Sequence, residues 1–504
     1  MKKKIVITGM GAVTPIGSGV DEYWNNLIAG ACGIDRIRQF DADDLAVQIA
    51  AEVHSFDLQK YMPKKMIHET DAFTQYAYVA AAEALAMAGG NGRERSAREG
   101  NRPDGNCLDG GRTMEAAGVL TDPEQLTGTN LPAEPDRMGI VMGTAMAGVA
   151  TTAATQEILT NAVHKNVGPR FVPRILGNIA AAQIAIAHGI TGHSVTLSTA
   201  CASGGDAVSA AAMLLQADEA DAVLAVGAES ILCPLVIYSL ANAHTLSRVN
   251  DDPQHSCRPF DAERSGFVIG EGGGALVLET EENALARGAT IYAELAGWAN
   301  NNDAYHVIKP NPDGISSIKC MKKALKQAGL SPQDIDYINA HGTGTKLGDE
   351  AELNALGQLF GRESECGQSQ IQQDQVMQAI HGSEHPGLAD RAAESGQSTA
   401  PAIPEGITGG AAGIRPAISS TKGATGHMMG AGGITESIAC IQAIREGIVP
   451  PTLNLEQYDS QLDIVRGESR RMPVDIAMTN AFGFGGQNSS LIFRRYSGGK
   501  SNDE

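Results

Sequence analysis

A single cysteine, Cys201, lies among small residues in the stretch TLSTACASGGDAV, residues 196–208. The alternating residues before it are typical of a strand, and the run DAVSAAAMLLQA after it is typical of a helix. Unpaired N–H groups at a helix start can lower a thiol pKa from about 8.5 to roughly 3.5–7.5. We therefore expect a reactive thiolate at Cys201 with space for a bulky substrate, although a buried structural cysteine fits this stretch equally well.

Two histidines follow predicted strands in similar glycine-rich turns. His341 lies in INAHGTGTKLGDEAE, and His427 lies in STKGATGHMMGAGG, five residues after Lys422. One such histidine is more often structural, but two of them beside a cysteine indicate a shared cleft. A last turn, NAFGFGGQNSSLIF, contains Phe484, and its backbone N–H groups are suited to bind an oxyanion.

Other conspicuous patterns are weaker. TGMGAVTPIG resembles a dinucleotide fingerprint but has Thr14 at the third glycine position, and GEGGGALVLE lacks the Gly-Lys-Ser/Thr of a phosphate loop. His381 and His385 have the spacing of a helical metal site, but glycine and proline surround them and no third ligand is apparent. The sequence therefore favours tight turns and a solvated loop, and we expect no metal site.

The elements that must position these residues alternate between strand-like and helical runs. This alternation predicts an α/β chain with buried, largely parallel sheets. Two segments break the pattern, 90–136 and 362–416, because they are rich in polar residues and glycine and have no sustained apolar period. We expect both to be surface insertions outside the main core.

The composition excludes several classes of protein. The formal net charge of −20 argues against a general nucleic-acid or anionic-membrane surface. No apolar run reaches membrane-spanning length, and MKKKIVITGMG has no signal-peptide pattern. The eight cysteines are scattered without a C-x-x-C pair, which favours reduced thiols and a cytoplasmic location.

Five motifs in one order give the chain a specific resemblance. They are TACASG, RPFDAERSGFVIGEG, NAHGTGTKLGDEAE, SSTKGATGHMMGAGG and NAFGFGGQN. Together they resemble the elongating type II branch of the β-ketoacyl-[acyl-carrier-protein] synthases, from Lys4 to about Arg494 except for the two insertions. The resemblance implies a thiolase-like, five-layered αβαβα fold of two similar halves, about 1–280 and 281–497.

The resemblance also implies a reaction. Cys201 would take an acyl group from the pantetheine arm of an acyl carrier protein. Malonyl-carrier protein would then lose CO2, and the resulting carbanion would attack the acyl-enzyme. His341 and His427 match the pair that donates hydrogen bonds to the enolate oxygen. The thioester carries the activation, so no cofactor is expected.

Further roles follow from the same resemblance. Lys422 matches a lysine that helps to hold the catalytic residues in place. We expect this lysine to act through the loop carrying Asp349. Phe484 matches a gate between the acyl and malonyl sites, and its backbone N–H forms an oxyanion hole with that of Cys201. Thr343 and Thr345 match positions that hydrogen-bond the pantetheine arm.

Related classes fit less well. Thiolases use a second cysteine near the C-terminus, where this chain reads GFGGQN, and initiating synthases pair cysteine with histidine and asparagine. Chain-length-factor relatives lack the nucleophile. Two alternatives stay open, a polyketide-pathway condensing enzyme and a non-catalytic scaffold partner.

The acyl pocket departs from the family pattern. The stretch GTAMAG, which contains Met146, has extra methyl groups where glycines are usual, and Leu240 replaces a common phenylalanine. We expect Met146 and Leu240 to contact the acyl chain. Ile308 replaces a common substrate-binding threonine, which removes a hydroxyl from the malonyl side.

The surface expected to bind the acidic carrier protein is also altered. Three lysines remain for a basic patch: Lys60, Lys64 and Lys65. Other residues replace expected basic ones: His68, Glu69 and His244. Compensating cations are available: Arg248, Arg93, Arg95 and Arg98. The resemblance further implies a homodimer with acyl pockets near its interface.

Overall fold

The structure is a computed structural model, and it describes residues 2–54, 57–89, 131–161, 167–361, 416–458 and 460–498. Most of the two predicted insertions, including His381, His385 and the three arginines at 93, 95 and 98, lies outside the described residues. Among the helices of the described ranges, none is both long and apolar enough to span a membrane.

The strands and helices alternate through most of the chain. The strands are β1 Ile5–Thr14, β2 Gly17–Ser18, β3 Asp35–Arg36, β4 Ile49–Ala50, β5 Met138–Gly143, β6 Ser194–Leu197, β7 Ala222–Glu229, β8 Gly272–Thr280, β9 Ala293–Asn302, β10 Tyr337–Asn339, β11 Ala417–Ser419, β12 Ile448–Val449, β13 Arg470–Arg471, β14 Ile476–Gly483 and β15 Gln487–Arg494. The helices are α1 Val20–Ile28, α2 Lys64–Glu69, α3 Ala72–Gly89, α4 Val149–Thr160, α5 Phe171–Ile175, α6 Ile179–His188, α7 Ser203–Gln216, α8 Pro234–Asn242, α9 Glu281–Ala286, α10 Ile315–Ala328, α11 Lys346–Phe360, α12 Lys422–Thr425 and α13 Gly432–Glu446.

The two halves repeat one strand order. The first half reads β1-β8-β7-β5-β6, and the second reads β9-β15-β14-β10-β11. If the strands of each half are numbered along the chain, both orders are 1-5-4-2-3. The directions repeat as well, because strand 5 is antiparallel to strands 1 and 4, whereas strands 4, 2 and 3 are parallel. The halves are therefore similar, and the boundary at residue 280 stays a prediction.

The expectation of largely parallel sheets was wrong for β1, β8, β9 and β15. Each of these strands pairs antiparallel with its neighbours in the main sheet. The strand β8 is buried along its whole length. A strand buried on both faces has the continuous apolar pattern of a parallel strand, so its direction cannot be read from composition.

Five layers pack around apolar clusters. A central cluster joins α7 and α13 to both half-sheets, while α3 and α6 cover the outer face of the first half and α10 and α11 cover that of the second. The central helices meet at glycines: a Cβ on Gly433 would lie 2.4 Å from Gly205 N, and one on Gly204 would lie 2.7 Å from Gly430 O. This arrangement confirms the predicted αβαβα thiolase-like fold.

The fold places the candidate residues at equivalent positions. Cys201 lies between β6 and the central helix α7, and His427 lies between β11 and the central helix α13. His341 follows β10, and Phe484 follows β14. Because β10, β11 and β14 run parallel, their carboxyl ends meet at one edge, where ligands bind in open α/β sheets.

Candidate active site

Cys201 is presented by a constrained turn. It lies in a 3-10 turn, Ala200–Ala202, that runs directly into α7. Ala200 has a φ of +51°, a left-handed conformation that costs a non-glycine residue about 1–3 kcal/mol. The Ser203 hydroxyl holds the turn by donating to Ala200 O at 2.7 Å and accepting from Thr199 N–H at 2.9 Å.

Two backbone N–H groups point at the sulfur. They belong to Phe484 and to Cys201 itself. The close approach of the Phe484 turn favours glycine at 483, since a Cβ there would lie 3.0 Å from Cys201 N. The pair has the arrangement of an oxyanion hole beside a nucleophile.

Burial sets the protonation state of the thiol. Cys201 is only 6% exposed, and burial raises its pKa to about 11. The Phe484 N–H and the Lys422 charge lower the pKa, but less than burial raises it, and Glu229 adds to the rise. The expectation that the helix start yields a resting thiolate was therefore wrong, because desolvation of the sulfur outweighs the helix-terminal field.

His427 is the immediate neighbour of the sulfur. Its Nε2 lies 3.0 Å from Cys201 Sγ, and its Nδ1 faces the Met429 N–H at 3.4 Å. A backbone donor at Nδ1 leaves the ring proton on Nε2. His427 therefore donates its Nε2–H toward the sulfur, and the same N–H is available to a substrate oxyanion beside the sulfur.

His341 completes a compact trio with Cys201 and His427. The two imidazole centroids are 5.3 Å apart, and the ligand atoms of the three residues lie within 4.8 Å of one another. Burial, followed by the charge of Lys422, lowers the pKa of both histidines well below the usual value. Both rings are therefore neutral near pH 7.

The trio has the spacing of a metal site, but its hydrogen bonds favour a donor role. A metal-ligating histidine usually donates its other ring N–H to an oxygen acceptor. In His427 the far nitrogen instead accepts from Met429 N–H, so the proton occupies Nε2, the atom beside the sulfur.

Lys422 is buried beside the trio and paired with Glu436. The expected link through the loop of Asp349 was wrong. Asp349 instead accepts the backbone N–H groups of Thr343, Gly344 and Phe260 at 2.7–3.1 Å. The Lys422 cation is held by α13 because Glu436 lies one turn into that helix.

A cavity of about 390 Å³ leads to the trio. Its lining includes Phe484, Thr343 and Thr345, and the two threonine hydroxyls lie 3.0 Å apart. Neither Met146 nor Leu240 lines this cavity. Met146 is 46% exposed, while Leu240 packs against the apolar cluster that contains Cys201.

Sequence reasoning missed three buried carboxylates around the site: Glu229, Glu352 and Glu436. Glu352 accepts the backbone N–H groups of His341 and Gly342 at 2.8 and 2.7 Å. The sequence did contain a sign of Glu229, because this acid ends the apolar run AVLAVGAE and acidic residues are almost never fully buried without a polar partner.

The raised thiol pKa predicts a steep pH dependence of alkylation. Only the thiolate reacts with iodoacetamide, so the rate at Cys201 should rise about tenfold per pH unit above about pH 7 and level off near the pKa of about 11. Intact mass of the wild type and Cys201→Ala identifies the site. A rate that is already constant near neutral pH would contradict the burial argument.

Comparisons with known proteins agree with this geometry. Residues 2–101 and 110–284 match the β-ketoacyl synthase N-terminal domain, and residues 292–373 and 402–456 match the β-ketoacyl synthase C-terminal domain. Proteins named 3-oxoacyl-[acyl-carrier-protein] synthase 2 are 35% identical in Synechocystis, over 98% of this chain and 99% of the relative, and 33% identical in Coxiella burnetii, with the same coverage.

Solved structures share the fold. A β-ketoacyl synthase from Burkholderia phymatum superposes with a TM-score of 0.74 at 30% identity, covering 98% of this chain and all of the other. A type II polyketide ketosynthase, solved in complex with its acyl carrier protein, gives 0.72 at 27% identity with the same coverage. This chain belongs to the β-ketoacyl synthase family.

Proposed function

We propose that this protein condenses an acyl thioester with malonyl-[acyl-carrier protein], giving 3-oxoacyl-[acyl-carrier protein] and CO2, in fatty-acid chain elongation. One observation carries the proposal: Cys201 Sγ lies 3.0 Å from a neutral His427 and faces two backbone N–H groups. The relatives above are named 3-oxoacyl-[acyl-carrier-protein] synthase 2, a name that states the product proposed here.

In the first half-reaction the sulfur of Cys201 attacks the thioester carbonyl of the acyl-carrier protein. The negative carbonyl oxygen accepts from the N–H groups of Cys201 and Phe484. The bond to the pantetheine sulfur then breaks, and the proton lost by Cys201 ends on that leaving thiol. The transfer therefore takes up or releases no proton overall, so Cys201 need not be a thiolate in the resting protein.

In the second half-reaction the bond between the malonyl carboxylate and its α-carbon breaks, and CO2 leaves. The electron pair becomes an enolate whose oxygen accepts from the neutral rings of His341 and His427. The enolate carbon attacks the acyl-cysteine carbonyl, the bond to Cys201 Sγ breaks, and a proton from solvent restores the thiol. Neutral rings suit this role because a buried imidazolium would first have to be desolvated.

A product assay tests the proposal. Purified protein is incubated with acyl- and malonyl-loaded carrier, and the carrier is analysed by mass spectrometry for a two-carbon extension with release of CO2. A 3-oxoacyl-carrier product supports the proposal. Folded protein that makes no product with any acyl chain overturns it and favours the scaffold alternative.

A polyketide pathway is the second candidate, favoured by the likeness to the ketosynthase solved with its carrier protein. Both pathways use one condensation step, so the number of steps separates them. Release of one 3-oxoacyl product favours fatty-acid elongation, whereas repeated extension without reduction favours polyketide synthesis.

Carrier docking is proposed at the exposed start of α2. Lys64 and Lys65 are exposed there. Nearby, Arg170 pairs with Glu69, so a cation lies beside the acidic residue that replaces an expected basic one. Lys60 and Arg248 are exposed as well. These cations would attract the acidic carrier protein.

Charge reversal tests this docking surface. The double variant Lys64→Glu/Lys65→Glu should raise the KM for carrier substrate about tenfold or more, because like charges oppose encounter, with kcat little changed. The matched control is Lys322→Glu/Lys323→Glu, an exposed lysine pair on the outer helix α10. Equal KM values for the two double variants would contradict docking at α2.

We also propose a homodimer and a cytoplasmic location. The strand β6 is a sheet edge, and Ile186 and Met213, on the helices that flank it, are 77% and 51% exposed. A partner copy would cover both the edge and these apolar side chains. Sedimentation of the wild type should give a dimer, and Ile186→Asp should weaken it.

The proposed cytoplasmic location rests on the cysteines. Those in the described ranges are free thiols, which suit a reducing compartment.

A further inference from the structure

Glu229 is a buried carboxylate that the condensation mechanism does not use. It ends β7 and is fully buried. It accepts four hydrogen bonds, from the backbone N–H groups of Ala145, Met146 and Gly430 at 2.5, 3.1 and 3.2 Å and from the Thr144 hydroxyl at 3.2 Å. Burial raises the pKa of this carboxyl to about 7, although the four hydrogen bonds lower it, so Glu229 is ionised above about pH 7.

The four donors belong to two strained turns. Ala147, in the first turn, has a φ of +46°, and Met429, in the second, has a φ of +45°. Each conformation costs a non-glycine residue about 1–3 kcal/mol and persists only where its surroundings enforce it. The contact is also tight, since a Cβ on Gly430 would lie 2.7 Å from Glu229 Oε2.

The second turn contacts two members of the catalytic trio, His427 and Cys201. Met429 donates its N–H to His427 Nδ1, which places the ring proton on Nε2, and its sulfur lies 3.9 Å from Cys201 Sγ. Gly430 follows Met429 directly, so a bond to Gly430 N–H fixes the orientation of the preceding peptide. The first turn, through Ala145, packs in the same apolar cluster as Cys201 and Met429.

We propose that Glu229 is a positioning residue that fastens the Met429 turn to the Thr144–Ala147 turn and thereby holds His427 and Met429 against Cys201. This inference rests on the proposed condensing function. All four partners are donors, so an ionised carboxylate satisfies them, whereas a glutamine amide would direct its own N–H groups at one or two of them.

For Glu229→Gln, the loss of the charge and the loss of the positioning contacts predict opposite changes in the rate of Cys201 acylation. Above the Glu229 pKa of about 7, the charge of Glu229 raises the pKa of Cys201, so removal of that charge alone would increase the thiolate fraction and speed acylation. Loss of the clamp instead misplaces His427 and Met429. Because one lost bond to a charged group weakens an arrangement about 10- to 100-fold, we expect acylation of Cys201 to slow by that factor.

The test measures acylation of Cys201 by acyl-carrier protein with intact-mass kinetics, together with thermal unfolding. For Glu229→Gln the rate constant should fall about 10- to 100-fold with the KM for carrier unchanged, because Glu229 does not line the cavity. Faster acylation, or a loss confined to KM, would overturn the proposal. The matched control is Glu279→Gln, a buried carboxylate at the opposite end of the same sheet, paired with Arg287; it should lose stability and keep its acylation rate.

A second variant keeps the proposal testable if Glu229→Gln does not fold. Thr144→Val removes one donor to Glu229 and one acceptor for Ala147 N–H without changing any charge. Its acylation rate and its iodoacetamide alkylation rate should both fall about 2- to 10-fold. Wild-type rates for this variant would overturn the clamp. If the wild type itself is not acylated, the proposed function has failed, and alkylation of Thr144→Val still tests the clamp.

Discussion

Cys201→Ala is expected to abolish condensation while leaving decarboxylation of malonyl-carrier protein measurable. The acyl group has no attachment point without the sulfur, so the condensation rate should fall at least about 10³-fold. Decarboxylation needs donors for the enolate oxygen, and these are the rings of His341 and His427, which the substitution leaves in place. Product formation and CO2 release, measured on the same samples, separate the two steps.

A second buried cysteine provides the control. Cys320 is fully buried on α10, and Cys320→Ala should retain both activities because its thiol contacts backbone carbonyls of the second half-sheet. Condensation by Cys201→Ala, or loss of both activities in a folded protein, would contradict the assignment of separate roles to the thiol and the histidines.

Lys422→Met should combine a large loss of stability with a loss of thiol reactivity. Removing one member of a buried ion pair leaves the Glu436 carboxylate uncompensated, which costs about 3–5 kcal/mol of unfolding free energy. The Lys422 charge also lowers the pKa of Cys201, so its removal leaves less thiolate. Thermal unfolding and alkylation of Cys201 at fixed pH measure the two effects.

The double variant Lys422→Met/Glu436→Gln separates these effects. It has no unpaired buried charge, so most of the stability should return. Alkylation of Cys201 should stay low, because the cation near the sulfur is still missing. Recovery of both stability and alkylation would instead mean that Lys422 only neutralises Glu436.

Sequence patterns predicted the parts of this protein that depend on local chemistry. The strand-to-helix junction at Cys201 and the glycine-rich turns after β10 and β11 could be located because small residues and periodicity are local signals. The five ordered motifs extended these observations to the whole fold. The two similar histidine turns predicted a shared cleft, and the roles of Cys201, His341 and His427 came from the family resemblance.

The errors concern quantities that depend on burial and on partners distant in the chain. The pKa of Cys201 is raised because the sulfur is enclosed by segments far away in sequence, including the Phe484 turn. Lys422 pairs with Glu436 rather than with the Asp349 loop because the direction of a long side chain depends on packing. The antiparallel direction of β8 was hidden since burial on both faces removes the alternating pattern.

The identity of the nucleophile and its place in a two-step reaction are tested most directly by one labelling measurement. Protein is incubated with acyl-carrier protein, the adduct is located by peptide mass spectrometry, and malonyl-carrier protein is then added. The proposed mechanism predicts one acyl group on Cys201 that is discharged into a 3-oxoacyl product. An adduct on another residue, or one on Cys201 that malonyl-carrier protein fails to discharge, would contradict it.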